Sequence, residues 1–385
     1  MKKFVLVCQG MTDDPLEALG GRTPLEVAKT PFMDELARRG KVGLASFAPS
    51  SLSPSREAAL FSVWGYSPAE FYTGTGPLDA LAFGLEQREH ELVFRCDLVA
   101  VLDEALVDAT AGFISPRESG ILIDALNANF SSPKIRFHAG EGYKNLLLIK
   151  DETLAESWEG LEMPPPLDVL GERWTRHAPK GKKNREFADL LVRMKTFLES
   201  HEINRVRVDL KENPANMAWL WGQGKRPKLP LFKQKFGHGG VLSAEATFAK
   251  GLGKALGFRT GGGAGTAADL PEEDVCFICS GNTEKGRVET DFRRKIKKIE
   301  EFDARAARLV RDHAGDRRVL LTTDVAESSA KGALLHGHVP FLLEGDRIES
   351  DAAGAFNERA ASQSKTIFNA GHELMGYFLS GGAAR

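Results

Sequence analysis

Two short motifs carry residue types that could do chemistry. Cys276-Phe-Ile-Cys279 has the C-x-x-C spacing of redox and metal sites, and His336-Gly-His338 has an H-x-H spacing in which alternate strand positions share a face. The cysteines lie in an apolar run typical of a strand, where residues three apart point to opposite faces. We interpret them as buried core residues. The histidines have no third ligand nearby in sequence, so His336 is at most a candidate ligand.

Two further patterns are weak. The run Gly261-Gly-Gly-Ala-Gly265 lacks the full spacing and acidic partner of a dinucleotide loop, and it predicts a flexible turn. The basic cluster Arg293-Arg-Lys-Ile-Lys-Lys298 opens a predicted helix. Charge runs of this kind are usually solvated, so we interpret the cluster as a surface face.

The bulk composition limits the class of protein. The 385 residues are 42% hydrophobic and 27% charged, which is typical of a soluble globular protein. A formal net charge of −2 makes nucleic acid an unexpected partner. No apolar run has membrane-spanning length, and we expect neither a membrane span nor a signal peptide. Four cysteines are too few for a disulfide framework, and they favour a reducing cytoplasm.

The elements that must position any site alternate along the chain. An opening strand over 3–8 and helices over 31–39 and 55–63 come first, and alternation of strands with helices predicts an α/β fold with a mostly parallel sheet. Further strands are predicted at 92–98, 145–149, 218–220, 275–279, 319–322 and 339–343, and helices at 117–128, 185–200, 244–256 and 291–313. The proline-rich and basic segment 151–185 breaks this rhythm and predicts part of an inserted domain.

A set of ordered motifs resembles one enzyme family. The chain is similar to the archaeal-type, cofactor-independent phosphoglycerate mutases, including their homoserine kinase-like bacterial branch, in the alkaline phosphatase superfamily. The matching segments come in family order: Gly10-Met11-Thr12-Asp13, Arg22-Thr-Pro-Leu-Glu26, Thr30-Pro-Phe-Met-Asp34, Gly65-Tyr66-Ser-Pro68, Tyr72-Thr-Gly-Thr-Gly-Pro-Leu78, Phe94-Arg-Cys-Asp-Leu98, Trp219-Leu-Trp-Gly-Gln-Gly224 and Gly371-His-Glu-Leu-Met375.

The resemblance implies both a fold and a reaction. It implies an α/β, alkaline-phosphatase-like core with a mostly parallel sheet flanked by helices over 1–110 and 180–385. A smaller inserted α/β cap is expected over 111–179. The family reaction is an in-line phosphoryl transfer through a serine nucleophile, with two divalent metals, Mn or Mg. This connects the chain to glycolytic chemistry.

The family's metal and nucleophile positions carry other residues here. The first aspartate ligand falls on Gln9, and the serine nucleophile falls on Arg56, which is followed by the retained acid Glu57. The remaining ligand positions fall on Thr283, Arg287, Asp324 and Val325, with His336 as a further candidate. Ser55 could replace the nucleophile only if the helix start slipped by one residue. Only Asp324 clearly survives, so we expect no bound metal cofactor.

Two interpretations of the arginines stay open. Asp324, Arg56 and Arg287 together leave a charge of +1, which would suit a phosphate or a similar anion. Alternatively, the arginines form internal ion pairs with Glu57, Asp324 or Glu284. We expect Gln9, Arg56, Thr283 and Asp324 around one pocket between core and cap. Further ligand-binding candidates are Glu57, Arg95, Lys144 and Arg287.

Three functions follow from these expectations. The favoured one is a pseudoenzyme on a metalloenzyme fold that binds a small anionic, phosphorylated metabolite or a protein partner in the cytoplasm. The alternative is an active 2,3-bisphosphoglycerate-independent phosphoglycerate mutase, or a related phosphotransferase, with a rearranged site. The third is a structural subunit with a vestigial pocket.

Overall fold

The computed structural model describes residues 1–260, 275–281, 288–312 and 316–382. The predicted glycine turn at 261–265, the candidates Thr283 and Arg287, and the acid Glu284 lie outside these residues. The described chain forms two compact units, one of residues 1–72 and 228–385 and one of residues 73–227. No helix in the described ranges is long and apolar enough to cross a membrane.

The first unit is built from two stretches of chain. The N-terminal stretch contains β1 (Lys2–Cys8), α1 (Pro24–Val27), α2 (Pro31–Arg39), β2 (Lys41–Ala45), α3 (Arg56–Val63) and α4 (Pro68–Phe71). Residues 73–227 then contribute α5 (Thr75–Phe83), β3 (Leu92–Leu102), β4 (Ala105–Asp108), α6 (Pro116–Phe130), β5 (Ile135–Glu141), β6 (Lys144–Ile149), α7 (Glu152–Glu159), α8 (Arg185–Ser200), α9 (Glu202–Asp209) and β7 (Met217–Gly224) to the second unit.

The C-terminal stretch returns to the first unit. It contains α10 (Phe232–Phe236), β8 (Gly240–Ala244), α11 (Thr247–Ala255), β9 (Arg259–Thr260), β10 (Val275–Ser280), α12 (Phe292–Arg311), β11 (Arg317–Thr322), β12 (Ala326–Ser328), β13 (Ala333–Leu335), β14 (Val339–Gly345), α13 (Glu358–Ser362), β15 (Ile367–Phe368) and α14 (Glu373–Ser380). The predicted strands and helices are therefore confirmed, with ends shifted by a few residues.

The sheet of the first unit is mostly parallel, as predicted. Its strand order is β15-β2-β14-β11-β1-β10-β8-β9, with β14 antiparallel to both of its neighbours. The central strand β1 pairs in parallel with β10 and β11, and its side chains from Phe4 to Cys8 are buried. Buried strands with helices on the faces read as continuous apolar runs, which is the pattern of Phe4-Val-Leu-Val-Cys8. The carboxyl ends of β1, β10 and β11 consequently share one edge of the sheet.

The second unit has a different sheet. Strand β3 pairs antiparallel with β4, β6 and β7, and β5 extends the sheet from β6. A large apolar cluster runs through this unit from Leu92 to Leu220, with Trp158, Phe187 and Trp219 fully buried, and a smaller one packs around Val93 and Leu146. The unit contains more residues than the cap predicted at 111–179. Strands β3 and β7 lie outside that range but belong to the unit, because they pair with each other and β3 also pairs with β6.

Candidate functional site

A buried charge cluster lies at the carboxyl ends of β1 and β11. Asp324 follows β11 directly and is fully buried, and Glu327 lies on the short strand β12 and is 2% exposed. Arg56 is the first residue of α3 and is 8% exposed. Ligands of open α/β sheets bind at the carboxyl ends of strands, so this is the edge where a site is expected.

Arg56 binds two carboxylates at once. Its Nη1 donates to Asp324 Oδ1 at 3.1 Å and to Oδ2 at 3.0 Å, and its Nη2 donates to Glu327 Oε2. Burial alone lowers the pKa of the guanidinium, but the carboxylates of Asp324 and Glu327 outweigh burial and hold the pKa above its ordinary value. Arg56 is therefore a permanent cation held by an internal network, which is the second of the two interpretations of this residue.

Both oxygens of the Asp324 carboxylate are fully hydrogen-bonded, so neither has a lone pair left for a metal ion or another ligand. Oδ2 accepts from Gln9 Nε2 at 3.1 Å, and Oδ1 accepts from the Gly10 N–H at 3.2 Å and from Thr323 Oγ1 at 3.3 Å. Together with Arg56, these donors fill both oxygens, which offer about four lone-pair positions. Gln9, Arg56 and Asp324 are thus brought together as predicted, but they bind one another.

The network continues through Lys295 on α12. Its Nζ lies 2.5 Å from Glu327 Oε1 and 2.7 Å from Asp13 Oδ2, and it donates to the Thr12 carbonyl at 3.0 Å. Asp13 also accepts from the Ser329 backbone N–H at 2.8 Å and from the Ser329 hydroxyl. Within the described residues, the cluster contains two cations, Arg56 and Lys295, and three carboxylates. These five side chains sum to one negative charge; the expected charge of +1 counted Arg287, which lies outside the described residues.

Asp13, Lys295 and Glu327 were not predicted as site residues from the sequence. Glu327 approaches Arg56 across 271 positions of sequence, and a single sequence gives no sign of that contact. The burial of Lys295 could have been predicted from the sequence. At helical spacing it shares a face of α12 with Ile299, Phe302 and Ala306, which are buried on the core-facing side. The interpretation of the basic cluster as a solvated face is therefore wrong for Lys295, which is 1% exposed.

Ser55 is occupied as a helix cap. The helix α3 begins at Arg56, and Ser55 Oγ accepts a hydrogen bond from the Ala58 N–H at 3.2 Å, as an N-cap serine does. Glu57 lies in the first turn and is half-buried, where a carboxylate is favoured by the helix dipole. The slip of the helix start that would bring Ser55 into the position of Arg56 is absent from this structure.

The remaining candidates lie elsewhere in the two units. His336 Nδ1 lies 3.4 Å from the Ala48 carbonyl oxygen, and His338 Nε2 lies 2.9 Å from Asn369 Oδ1, so the two rings have different partners. In the second unit, Arg95 Nη1 lies 2.9 Å from Asp79 Oδ2, and Arg95 Nη2 donates to Asp97 Oδ1 at 2.7 Å. Lys144 begins β6 and is buried, with its Nζ 5.6 Å from the centre of the Tyr143 ring.

The cysteines are structural, as predicted. Cys276 and Cys279 are free thiols buried on β10, and Cys8 is a free thiol buried at the end of β1. Burial raises the pKa of Cys276 to about 11 and raises the pKa of Cys8 further, where the Asp324 and Glu327 carboxylates add to the effect. Neutral buried thiols are poor nucleophiles and poor metal ligands.

A cavity of about 420 Å³ opens from the charge cluster. Gln9, Gly10 and Arg56 line its inner end, and Lys298 and Arg305 of α12 lie along its wall. The described charged residues of the wall are four cations, Arg56, Lys295, Lys298 and Arg305, and four carboxylates, Glu245, Glu289, Glu301 and Glu327. Lys298 pairs with Glu289 at 3.1 Å and Arg305 with Glu245 at 3.6 Å, and these pairs are solvent-accessible.

The comparisons with known proteins agree with this fold. A sequence model of 2,3-bisphosphoglycerate-independent phosphoglycerate mutase matches residues 37–204. The 2,3-bisphosphoglycerate-independent phosphoglycerate mutase of Methanosarcina barkeri is 33% identical over 399 residues, covering 98% of this chain and 99% of the relative. The chain belongs to this family. A probable member from Geobacter sulfurreducens is 31% identical and covers 98% of the chain and 100% of the relative.

Solved structures of low identity share the same fold. A protein from Pyrococcus horikoshii superposes with a TM-score of 0.78 at 22% identity, over 100% of this chain and 98% of that one. The cofactor-independent phosphoglycerate mutase of Thermoplasma acidophilum gives a TM-score of 0.59 at 23% identity, over 100% of both chains. The mixed α/β fold and the mostly parallel sheet are therefore confirmed.

The described residues at the implied ligand positions do not fit the two divalent metals that the resemblance implies. Gln9 offers a neutral amide, Val325 offers no side-chain ligand atom, and Arg56 brings a positive charge to the position where the resemblance places the nucleophile. The Asp324 oxygens already accept from Gln9, Gly10, Thr323 and Arg56. Among the described residues, no group of three or more histidine, cysteine, aspartate or glutamate side chains could hold a metal ion.

Proposed function

We propose that this phosphoglycerate mutase family member does not carry out the two-metal, phosphoserine reaction and acts by binding. The observation that carries the proposal is the position of Arg56. Its guanidinium stands where the resemblance places the serine nucleophile, and it binds the retained Asp324 carboxylate through Nη1. A guanidinium that stays protonated cannot accept a phosphoryl group as a serine hydroxyl does.

The proposed ligand is a small anionic, phosphorylated metabolite in the cavity beside α12. Arg56 is an unfavourable contact for it, because a buried carboxylate pair already neutralises that guanidinium. Lys298 and Arg305 are favourable contacts. Their pairs with Glu289 and Glu245 are solvent-accessible, and exposed ion pairs contribute only about 0–1 kcal/mol, so an anion can exchange with these glutamates. The free, buried thiols support the expected cytoplasmic location.

The loss of the family reaction is tested by activity and metal content together. The purified protein should interconvert 3- and 2-phosphoglycerate no faster than a buffer blank, with or without Mn²⁺, while an active family member serves as the positive control. Metal analysis after purification without chelator should find no stoichiometric divalent ion. Robust Mn²⁺-dependent turnover would establish the alternative, an active mutase with a rearranged site.

The ligand is tested separately by thermal shift. A molecule that binds only the folded state raises the melting temperature. Phosphate or 3-phosphoglycerate should raise the Tm of the wild type, and the shift should disappear in Lys298→Ala/Arg305→Ala. Lys297→Ala is the matched control, since this exposed lysine lies on the same helix but does not line the cavity. An equal shift in all three proteins, or none in the wild type, would reject the anion site.

A further inference from the structure

Arg56 connects four segments of the chain that surround one charge cluster. Through Asp324 it reaches the end of β11 and the Gln9-Gly10 turn after β1, and through Glu327 it reaches β12. Glu327 in turn contacts Lys295 on α12. We infer that Arg56 is the resident cation of this site, a positioning residue whose charge holds the two carboxylates in place without a metal ion.

The burial of the carboxylates makes this cation necessary. The side chains of Asp324 and Glu327 are 0% exposed, so water does not compensate their charges. Both are within hydrogen-bond reach of one guanidinium, so their oxygens lie close together around a single positive centre. Removal of one partner from a buried ion pair leaves an uncompensated charge, which destabilises much more than the loss of an exposed pair.

The charge balance shows why Lys295 cannot replace Arg56. Lys295 already faces two carboxylates, those of Asp13 and Glu327, at 2.7 and 2.5 Å. Within the described residues, the Asp324 carboxylate has Arg56 as its one ion-pair partner. Without Arg56, three buried carboxylates would share one ammonium group.

A divalent cation should therefore be able to take over the role of Arg56 when its side chain is shortened. Arg56→Ser leaves space and frees the positions that Arg56 occupies on both Asp324 oxygens and on Glu327 Oε2, while Gln9, Gly10 and Thr323 still donate to Asp324. Carboxylate oxygens are the ligands that Mn²⁺ and Mg²⁺ prefer. This inference rests on the proposed absence of metals from the native site. It predicts that one substitution makes the stability of the fold depend on a bound metal ion, whether or not enzymatic activity returns.

The test compares melting temperatures after EDTA treatment and dialysis, with and without added MnCl₂. The Tm of the wild type should be indifferent to both. Arg56→Ser should melt on the order of 5 °C lower without metal and should recover a large part of this loss with Mn²⁺. An Arg56→Ser protein that does not respond to Mn²⁺, or a wild type that gains as much Tm from Mn²⁺ as the variant, would overturn the inference.

A second variant covers the case in which Arg56→Ser does not fold. Arg56→Met/Asp324→Asn/Glu327→Gln removes the cation and both carboxylates while it keeps their approximate volumes. If Arg56 acts through its charge, this triple variant should fold, melt above Arg56→Ser and ignore Mn²⁺. A triple variant as unstable as Arg56→Ser would show that the guanidinium acts through its shape, and the inference would be lost. Turnover by the wild type would instead contradict the proposed function, so the two failures are distinguishable.

Discussion

The carboxyl group of Glu358 illustrates how one residue ties distant segments to the site. It accepts a hydrogen bond from Thr23 Oγ1 at 2.7 Å and another from the Asp13 N–H at 3.3 Å. Asp13 in turn binds Lys295 and Ser329 in the charge cluster. Burial raises the pKa of Glu358 to about 7, and the nearby Glu26 carboxylate adds to the effect.

This raised pKa predicts a pH dependence of stability. The ordinary pKa of 4.5 holds for the unfolded chain, so the folded state keeps a proton that the unfolded state loses between pH 4.5 and about 7. The contribution of Glu358 is fully present below pH 4.5 and is lost as pH rises through 7, by about 3 kcal/mol. Glu358→Gln, which mimics the protonated carboxyl, should remove this loss.

Urea denaturation at pH 5, 6, 7 and 8 measures the effect. As pH rises from 5 through 7, the free energy of unfolding of the wild type should fall relative to that of Glu358→Gln. The difference between the two proteins should level off by pH 8. A difference between the two proteins that is constant across these pH values would mean that Glu358 does not titrate in this range.

Gly10 is a second residue whose environment predicts a measurable effect. Its φ of +72° is in the left-handed region, and an added Cβ would lie 3.2 Å from both Arg56 Nη2 and Glu327 Oε1. Gly20 is a matched control, because its φ is +66° and an added Cβ would meet nothing within 4 Å. Both alanine variants should lose about 1–2 kcal/mol from backbone strain.

Gly10→Ala should lose more than Gly20→Ala, since it also displaces the charge cluster. Urea titrations of the two variants in one buffer give the difference in the free energy of unfolding. Equal losses would indicate that the Arg56–Glu327 pair moves aside at no cost.

The sequence predicted the residues of the site unevenly. Asp324 and Arg56 could be placed together, because the family resemblance put both at one set of positions. The partner Glu327 could not be identified, because its contact with Arg56 depends on the fold. Lys295 could have been identified from its helical phase with Ile299 and Phe302, but the abundance of neighbouring lysines and arginines favoured the solvated interpretation.

At the scale of elements, hydrophobic periodicity was sufficient for the helices and strands around the site. The structure places α2 at Pro31–Arg39 and α8 at Arg185–Ser200, as predicted. Apolar spacing and proline at the first helical position are local signals, which explains this agreement. Strand order is not local, and the pairing of β1 between β10 and β11 joins segments more than 260 residues apart.

The start of α3 is the element boundary that matters most, because it aims Arg56. Ser55→Ala removes the N-cap hydrogen bond to the Ala58 N–H and should lower the free energy of unfolding by about 1 kcal/mol. Ser55→Asn retains a capping side chain and should lose much less. Ser53→Ala, at an exposed position two residues earlier, is the control. A loss with Asn as large as with Ala would show that Ser55 does more than cap the helix.

At the scale of the whole molecule, each of the two units has a buried apolar cluster of its own among the described residues. The large apolar cluster of residues 73–227 runs from Leu92 to Leu220 and contains no residue of the first unit. The cluster around β1 likewise contains only residues of the first unit. A unit with its own core and sheet can in principle fold alone. The sequence could not show the bounds of the second unit, because the proline-rich segment 151–185 lies inside the unit.

Two fragments distinguish the observed unit from the predicted one. Residues 73–227 keep β3 with its partners β4, β6 and β7, and this fragment should unfold cooperatively with a blue-shifted emission from buried tryptophans such as Trp158. Residues 111–179, the cap predicted from the sequence, also contain Trp158 but lose β3. Strands β5 and β6 then form a two-stranded sheet, which is at best marginally stable in water. We expect this shorter fragment to show solvent-exposed emission and no cooperative transition on heating. Cooperative unfolding of 111–179, or its absence in 73–227, would contradict the division of the chain seen in the structure.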